Sequence, residues 1–295
     1  MFKGILFTAA SAVLYGSIGY FGVSLMQLGF SVSELLLWRF LFSLAILLPF
    51  VLKGFPEFRR SAVAPAILLK LFFFGAIFYG AGTAFYFEAS KTIGTGLAMV
   101  IFFAYPIVVA LLSTYLGKEP LSSLTLVSLA LIVLGCSLIA VGESFVIDAK
   151  GIALAISSGI FYGAYVFFTK QVTRLVPPLV ATFTVCAGAA MAFIVVQLWC
   201  TSGFSMPTSP IMWMHISLFS LLGTVLPVLF MLLGLRTISA NKASIISVLE
   251  PVTVLAVGGL VLQEPVSALQ LLGATIILSS SILVQFDKEK AVTTV

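Results

Sequence analysis

Apolar runs of about 20 residues follow one another along this chain, separated by short stretches of charge, glycine or proline. Each run matches the length a helix needs to cross a hydrocarbon core of about 30 Å. The pattern predicts helices near residues 4–25, 33–52, 66–88, 92–116, 122–142, 151–170, 179–200, 211–234, 242–262 and 267–285. These runs alternate too rarely, and are too long, to be strands of an outer-membrane barrel, whose spans take about 10 residues. The predicted fold class is therefore all-α integral membrane with ten transmembrane helices.

Composition narrows the class further. Of 295 residues, 61% are apolar and 8% charged, against roughly a quarter charged in a soluble domain. A mean hydropathy of +1.22 excludes a disordered chain. Cys136, Cys186 and Cys200 lie inside apolar runs without metal-type spacing, and read as small core hydrophobes. The net charge of +5 comes from cations scattered singly, with no basic stripe, so no nucleic-acid partner is expected. Their placement has a topological cause. With the N-terminus in the cytoplasm, the cytoplasmic connections and termini hold Lys3, Lys53, Arg59, Arg60, Lys118, Lys170, Arg174, Arg236, Lys242, Lys288 and Lys290, whereas the opposite connections hold only Lys91 and Lys150. The positive-inside rule then puts both termini in the cytoplasm of a cell inner (cytoplasmic) membrane protein, which requires an even number of spans.

The chain also repeats itself. A shift of 147 pairs Lys3-Gly4-Ile5 with Lys150-Gly151-Ile152 and Tyr15-Gly16 with Tyr162-Gly163; a shift of 145 pairs Pro106 with Pro251 and Glu119-Pro120 with Glu264-Pro265. The first helix, being a counterpart of the sixth, is read as a helix and not as a cleaved signal peptide. Two five-helix repeats follow, 1–145 and 146–285, with 286–295 as a cytoplasmic tail. Five is odd, so the second repeat enters the membrane from the other side and the halves are inverted. A site at their interface can be exposed to either face by rocking one half on the other.

The Tyr-Gly motifs, Trp38-Arg39-Phe40, the run from Glu88 through Pro106, and the segment from Arg236 to Leu283 with Glu250-Pro251 and Glu264-Pro265 resemble the drug/metabolite transporter superfamily, EamA type. The resemblance covers nearly the whole chain. It implies a small-solute carrier with ten helices, a central cavity lined mainly by helices 1, 3, 4, 6, 8 and 9, and substrates such as amino acids and other metabolites. Where the helix-one motif often carries Trp, this chain has Tyr15.

Several residues could carry the chemistry. Glu250 lies about 14 Å into helix nine, near the midplane, where an ionisable side chain is costly and faces the bundle interior. It reads either as a proton or ammonium partner or as a protonated group holding helices together. Pro251, and Pro106 in the matching position of helix four, cannot donate a backbone hydrogen bond, so both halves carry a candidate hinge or kink at mid-depth. Tyr15, Tyr79, Tyr86, Tyr105 and Tyr162 bring ring faces and hydroxyls into the spans expected to line a cavity, and Ser244 and Ser247 offer hydroxyls on the approach to Glu250. Arg39, roughly 7 Å below the surface, is expected to snorkel or to pair with Glu34 or another acid at that face, with recruitment of an anion as the lesser alternative. Glu88 and Lys91 read as an interfacial pair, and Glu119-Pro120 and Glu264-Pro265 as the starts of helices five and ten.

His215, the single histidine, has no ligand neighbours, so no metal or other cofactor is expected. No triad or nucleotide motif is present, which leaves passive or ion-coupled transport. The function expected is a secondary transporter moving a small organic metabolite, an amino acid or related zwitterionic solute or a drug-like compound, by alternating access, with protons as a candidate coupling ion. The rivals are a non-transporting assembly or lipid flippase component and an integral membrane enzyme. The ten acids, scattered singly, do not supply the clustered groups an enzyme needs. The partners expected are the solute and the lipid bilayer, with a monomer consistent with the sequence.

Overall fold

A computed structural model describes residues 2–54, 63–141, 146–200, 206–260 and 265–287, and the regular structure in these residues is entirely helical. Ten rods follow one another: α1 (Phe2–Gln27), α2 (Val32–Lys53), α3 (Pro65–Ile93), α4 (Thr95–Tyr115), α5 (Ser123–Ile139), α6 (Ala149–Leu175), α7 (Pro178–Trp199), α8 (Pro210–Leu235), α9 (Ala240–Leu260) and α10 (Ala268–Phe286). Among the described residues nine are long and apolar enough to span a bilayer, and α5 is a shorter apolar helix. Phe286 of the expected tail still belongs to α10; the tail beyond Asp287, with Lys288 and Lys290, and the loop cations Arg59 and Arg60 lie outside the described residues.

Contacts at the rod ends sort them onto two faces. Lys170, ending α6, donates from Nζ to the carbonyls of Leu235 and Ile238 after α8, both at 2.6 Å. Lys242, starting α9, donates to the carbonyl of Asp287 at 2.6 Å, and Thr125, starting α5, donates to the Asp287 carboxylate at 2.8 Å. These ends share the face where residues 2 and 287 lie, the termini-bearing face. On the far face Gln270, starting α10, donates to the Ile139 carbonyl ending α5 at 3.2 Å, and the Trp38 and Trp213 rings meet at 5.4 Å. The rods are thus two inverted five-helix repeats, as the odd number of spans per repeat demands.

Serines, not the Glu-Pro pairs, start the last helix of each repeat. Ser122 accepts from the Thr125 amide at 3.0 Å and Ser267 from the Gln270 amide at 3.2 Å, so each hydroxyl satisfies an amide that the first turn leaves without a helical partner. Glu119-Pro120 lies before that cap, which corrects the expectation that it occupies the first turn; Glu264 falls outside the described residues and Pro265 precedes the Ser267 cap.

Glycines set how closely the rods approach. A Cβ on Gly75 of α3 would stand 2.1 Å from the Val185 carbonyl oxygen of α7, and one on Gly188 of α7 would stand 1.9 Å from that of Phe72. Neither contact would admit any other residue without moving backbone.

Five interruptions among the described residues shape the interior. The α-helical pattern of α4 ends at Phe102 and resumes at Tyr105; that of α9 ends at Ser247 and resumes at Leu249. Each break falls just ahead of its proline, Pro106 or Pro251, whose ring excludes the carbonyl four residues earlier. The middle helix of each repeat widens into a π-helical stretch, Phe74–Gly80 in α3 and Leu221–Val225 in α8, and the shift of 147 superposes their starts. One interruption is unpaired. α1 turns at Gly16-Ser17, where the Ser17 amide and hydroxyl both donate to the Leu14 carbonyl at 3.1 and 2.7 Å, while its counterpart α6 runs unbroken through Tyr162-Gly163.

Candidate functional site

The breaks and the π-helical stretches surround a cavity of about 50 Å³ lined by Tyr15, Ile18, Arg39, Tyr79, Gly82, Thr83, Tyr86, Phe102, Tyr162 and Glu250. Both repeats contribute to it: α1 through α4 from the first, α6 and α9 from the second. Glu250 is midway along α9, so the one acidic lining residue among the described residues stands at mid-depth.

Four of the five candidate tyrosines, Tyr15, Tyr79, Tyr86 and Tyr162, border the cavity together with Glu250. Tyr105 stands behind Tyr162, ring centroids 4.8 Å apart and edge to face at 89°, and its hydroxyl donates to the Ser244 carbonyl at 3.1 Å. That bond joins the second segment of α4 to the first segment of α9, the halves of these rods nearer the termini-bearing face. Ser244 and Ser247 are buried and turn their hydroxyls back to the Asn241 and Ala243 carbonyls, 2.9 and 2.8 Å away; they stand beneath the cavity and not in its lining. Pro106 and Pro251 are also buried, each in the first turn of a resumed helix.

Arg39 corrects an expectation. Its side chain is 1% exposed and does not snorkel. It turns inward from α2 and inserts against the π-helical stretch of α8: Nε donates to Thr224 Oγ1, and Nη2 donates to the Gly223 carbonyl at 2.6 Å and to Tyr79 Oη at 3.1 Å. A widened turn leaves carbonyls off the regular ladder, and the guanidinium uses one. Tyr79 Oη in turn lies 3.2 Å from Tyr15 Oη, so a polar chain runs from α8 through Arg39 and Tyr79 to the break in α1. Glu34 serves the start of α2, accepting from the Ser31 amide at 2.9 Å and the Ser31 hydroxyl at 2.7 Å. α2 therefore lines the cavity, whereas α8 supports it from behind.

Two more groups escape a reading of the sequence. Tyr165 packs 5.0 Å from Tyr79, and its buried hydroxyl has no partner among the described residues; one turn after Tyr162, it is on the same face of α6, which is the signal that could have found it. Phe102 lies 5.2 to 5.5 Å from the rings of Tyr86, Tyr105 and Tyr162 at the point where α4 breaks. Elsewhere, Glu88 and Lys91 form an exposed pair at 3.9 Å. His215 is half-buried beside Tyr20 and Phe21. Cys136 and Cys186 are free and buried.

Comparison with known proteins follows the same lines. The EamA-like transporter family matches residues 2–141 and 149–286. "Uncharacterized transporter sll1319" of Synechocystis sp. (strain ATCC 27184 / PCC 6803 / Kazusa) is 28% identical over 203 residues, which are 66% of this chain and 60% of that protein, so less than two thirds of the relative's length is matched. A solved crystal structure superposes with a TM-score of 0.77 over 95% of both chains at 14% identity, a likeness of fold.

Proposed function

Because the chain belongs to the EamA-like transporter family, and is a multi-pass membrane transporter on that ground, we propose that it is a secondary carrier that moves a small organic metabolite, an amino acid or related zwitterionic or drug-like solute, by alternating access. The observation that carries this reading is the mid-depth cavity bordered by both inverted repeats with Glu250 in its wall. An inverted pair with broken helices at its interface is the arrangement that lets one site face either side in turn.

At about 50 Å³ the cavity has room for little more than a water-sized group. A metabolite enters only if helices part. In this reading the parting is at the far face, because every residue from Lys242 to Val248, in the part of α9 nearest the termini, is buried and packed on all sides. In this reading the inner segments of α4 and α9, joined by Tyr105 and Ser244, form a closed gate, and the breaks before Pro106 and Pro251 are the hinges.

Glu250 is assigned as the proton or ammonium partner. A carboxylate at the membrane midplane is stabilised by a bound proton or a cationic solute, and exchange of one for the other couples their movements. In proteoliposomes, Glu250→Gln is expected to impair counterflow of the carried solute while the folded protein is recovered in normal yield. Unchanged flux in that variant removes the coupling role and leaves the fold intact. The cationic residues on the termini-bearing face, Lys118, Lys170, Arg174, Arg236 and Lys242 among them, support a cytoplasmic location of that face in the inner membrane.

A further inference from the structure

Arg39 has chemistry that the carrier reading leaves unused. A guanidinium has five N–H donors. Nε and Nη2 are occupied by Thr224, Gly223 and Tyr79, whereas Nη1 is buried without a hydrogen-bond partner among the described residues. The rings of Phe219 and Phe40 lie 4.7 and 5.3 Å from the guanidinium carbon, so dipoles and ring faces hold the cation. Among the described residues no carboxylate touches it: Glu250 lines the same cavity and feels the guanidinium's charge, yet no contact ion pair joins the two.

A buried cation on a membrane-spanning helix is costly, and marks the path of a substrate or ion more often than it adds stability. This one is also held rigidly. With Nε and Nη2 anchored in α8 and α3, the plane of the guanidinium is set before any ligand arrives, and a carboxylate oxygen accepts from Nη1 without ordering the side chain again. The two charges of the cavity moreover occur once each. The shift of 147 places Cys186 where a second Arg39 would stand, and the shift of 145 places Tyr105 where a second Glu250 would stand. The first repeat supplies the cation and the second the anion.

From this arrangement we infer that Arg39 is the anion anchor of the transport site: the solute's carboxylate docks on Nη1, and its cationic end reaches toward Glu250 across the cavity. This rests on the carrier reading of the same cavity and adds a requirement to it. A solute without a carboxylate leaves the Nη1 donors unmet, and a site built around a charged hydrogen bond rejects such an analogue by about tenfold or more. A solute with both ends bridges the two repeats.

The test uses the purified full-length protein with the twenty common L-amino acids, the amide of each and the decarboxylated amine of each. Thermal stabilisation in detergent and counterflow in proteoliposomes are the two readouts. The expected result is that every amino acid that stabilises and moves does so at a concentration about tenfold or more below that of its amide and its amine. Arg39→Gln is expected to erase the difference between acid and amide, and Arg39→Lys to keep part of it. An amide or amine as effective as its acid in the unmodified protein overturns the anchor and leaves the carrier reading standing; so does an Arg39→Gln variant that still prefers the acid. Should that variant not fold, the comparison within the unmodified protein decides alone. Failure of every compound in both readouts overturns the carrier reading for amino-acid-like solutes, and the anchor with it.

Discussion

Arg39 and Glu250 are both charges inside apolar helices, and the sequence makes one of them easier to interpret than the other. Depth along α9 alone points to Glu250, because a residue midway through a span cannot reach water. Arg39 is near a span end, where its long side chain could turn either way; only the π-helical stretch of α8, with Gly223 and Thr224 offering acceptors, decides that it turns inward. The tyrosines divide in the same manner. Their spans were legible, but the rotation of each helix, which puts Tyr162 in the cavity wall and Tyr105 behind it, depends on the neighbouring rods. Glycine offers a direct test at this scale. Gly188→Ala is expected to destabilise the protein by about 1–3 kcal/mol through its clash with the Phe72 carbonyl, whereas Gly19→Ala, with no heavy atom within 4 Å of the added carbon, is expected to cost nothing measurable. Thermal unfolding of the two purified variants checks the contrast, and equal midpoints would mean that α3 and α7 do not approach so closely.

Among the elements, the broken helices govern how the site is reached. Pro106 and Pro251 announced breaks in α4 and α9 because a missing N–H and a bulky ring act locally. The turn in α1 has no such marker; Gly16-Ser17 also occurs as Gly163-Ala164 in α6, which continues as a helix. What differs is the surroundings, with Gly16 lodged against Thr253 of α9. The bond from Tyr105 to the Ser244 carbonyl is the polar tie between the inner segments of the two proline-broken rods. A hydrogen bond is worth about 1 kcal/mol net, or about fivefold in a two-state population. In a Ser247→Cys background, Tyr105→Phe is therefore expected to raise the rate of modification of the new thiol, at a position 5% exposed, by about fivefold with a small maleimide. An unchanged rate would show that apolar packing alone closes this gate.

For the whole molecule, inversion of the halves and the choice of membrane side are separate matters. Inversion follows from five spans per repeat, while orientation rests on the distribution of cations. In intact cells, with the native cysteines replaced, Ile147→Cys on the far face is expected to react with a membrane-impermeant maleimide, and Gln171→Cys on the termini-bearing face only after permeabilisation. The reverse pattern would turn the carrier over in the membrane. The sequence alone determined that the chain is a bundle of ten apolar helices in two inverted repeats, because span length, charge bias and internal offset are properties of the chain read in one dimension. It also marked Glu250 and the two proline breaks, whose effects reach no further than their own helix. The tertiary structure decided which faces of the helices meet, and hence that Arg39 enters the cavity and that Ser244 and Ser247 stay beneath it. Those outcomes depend on helix rotation and on backbone groups several rods away, which no local pattern encodes.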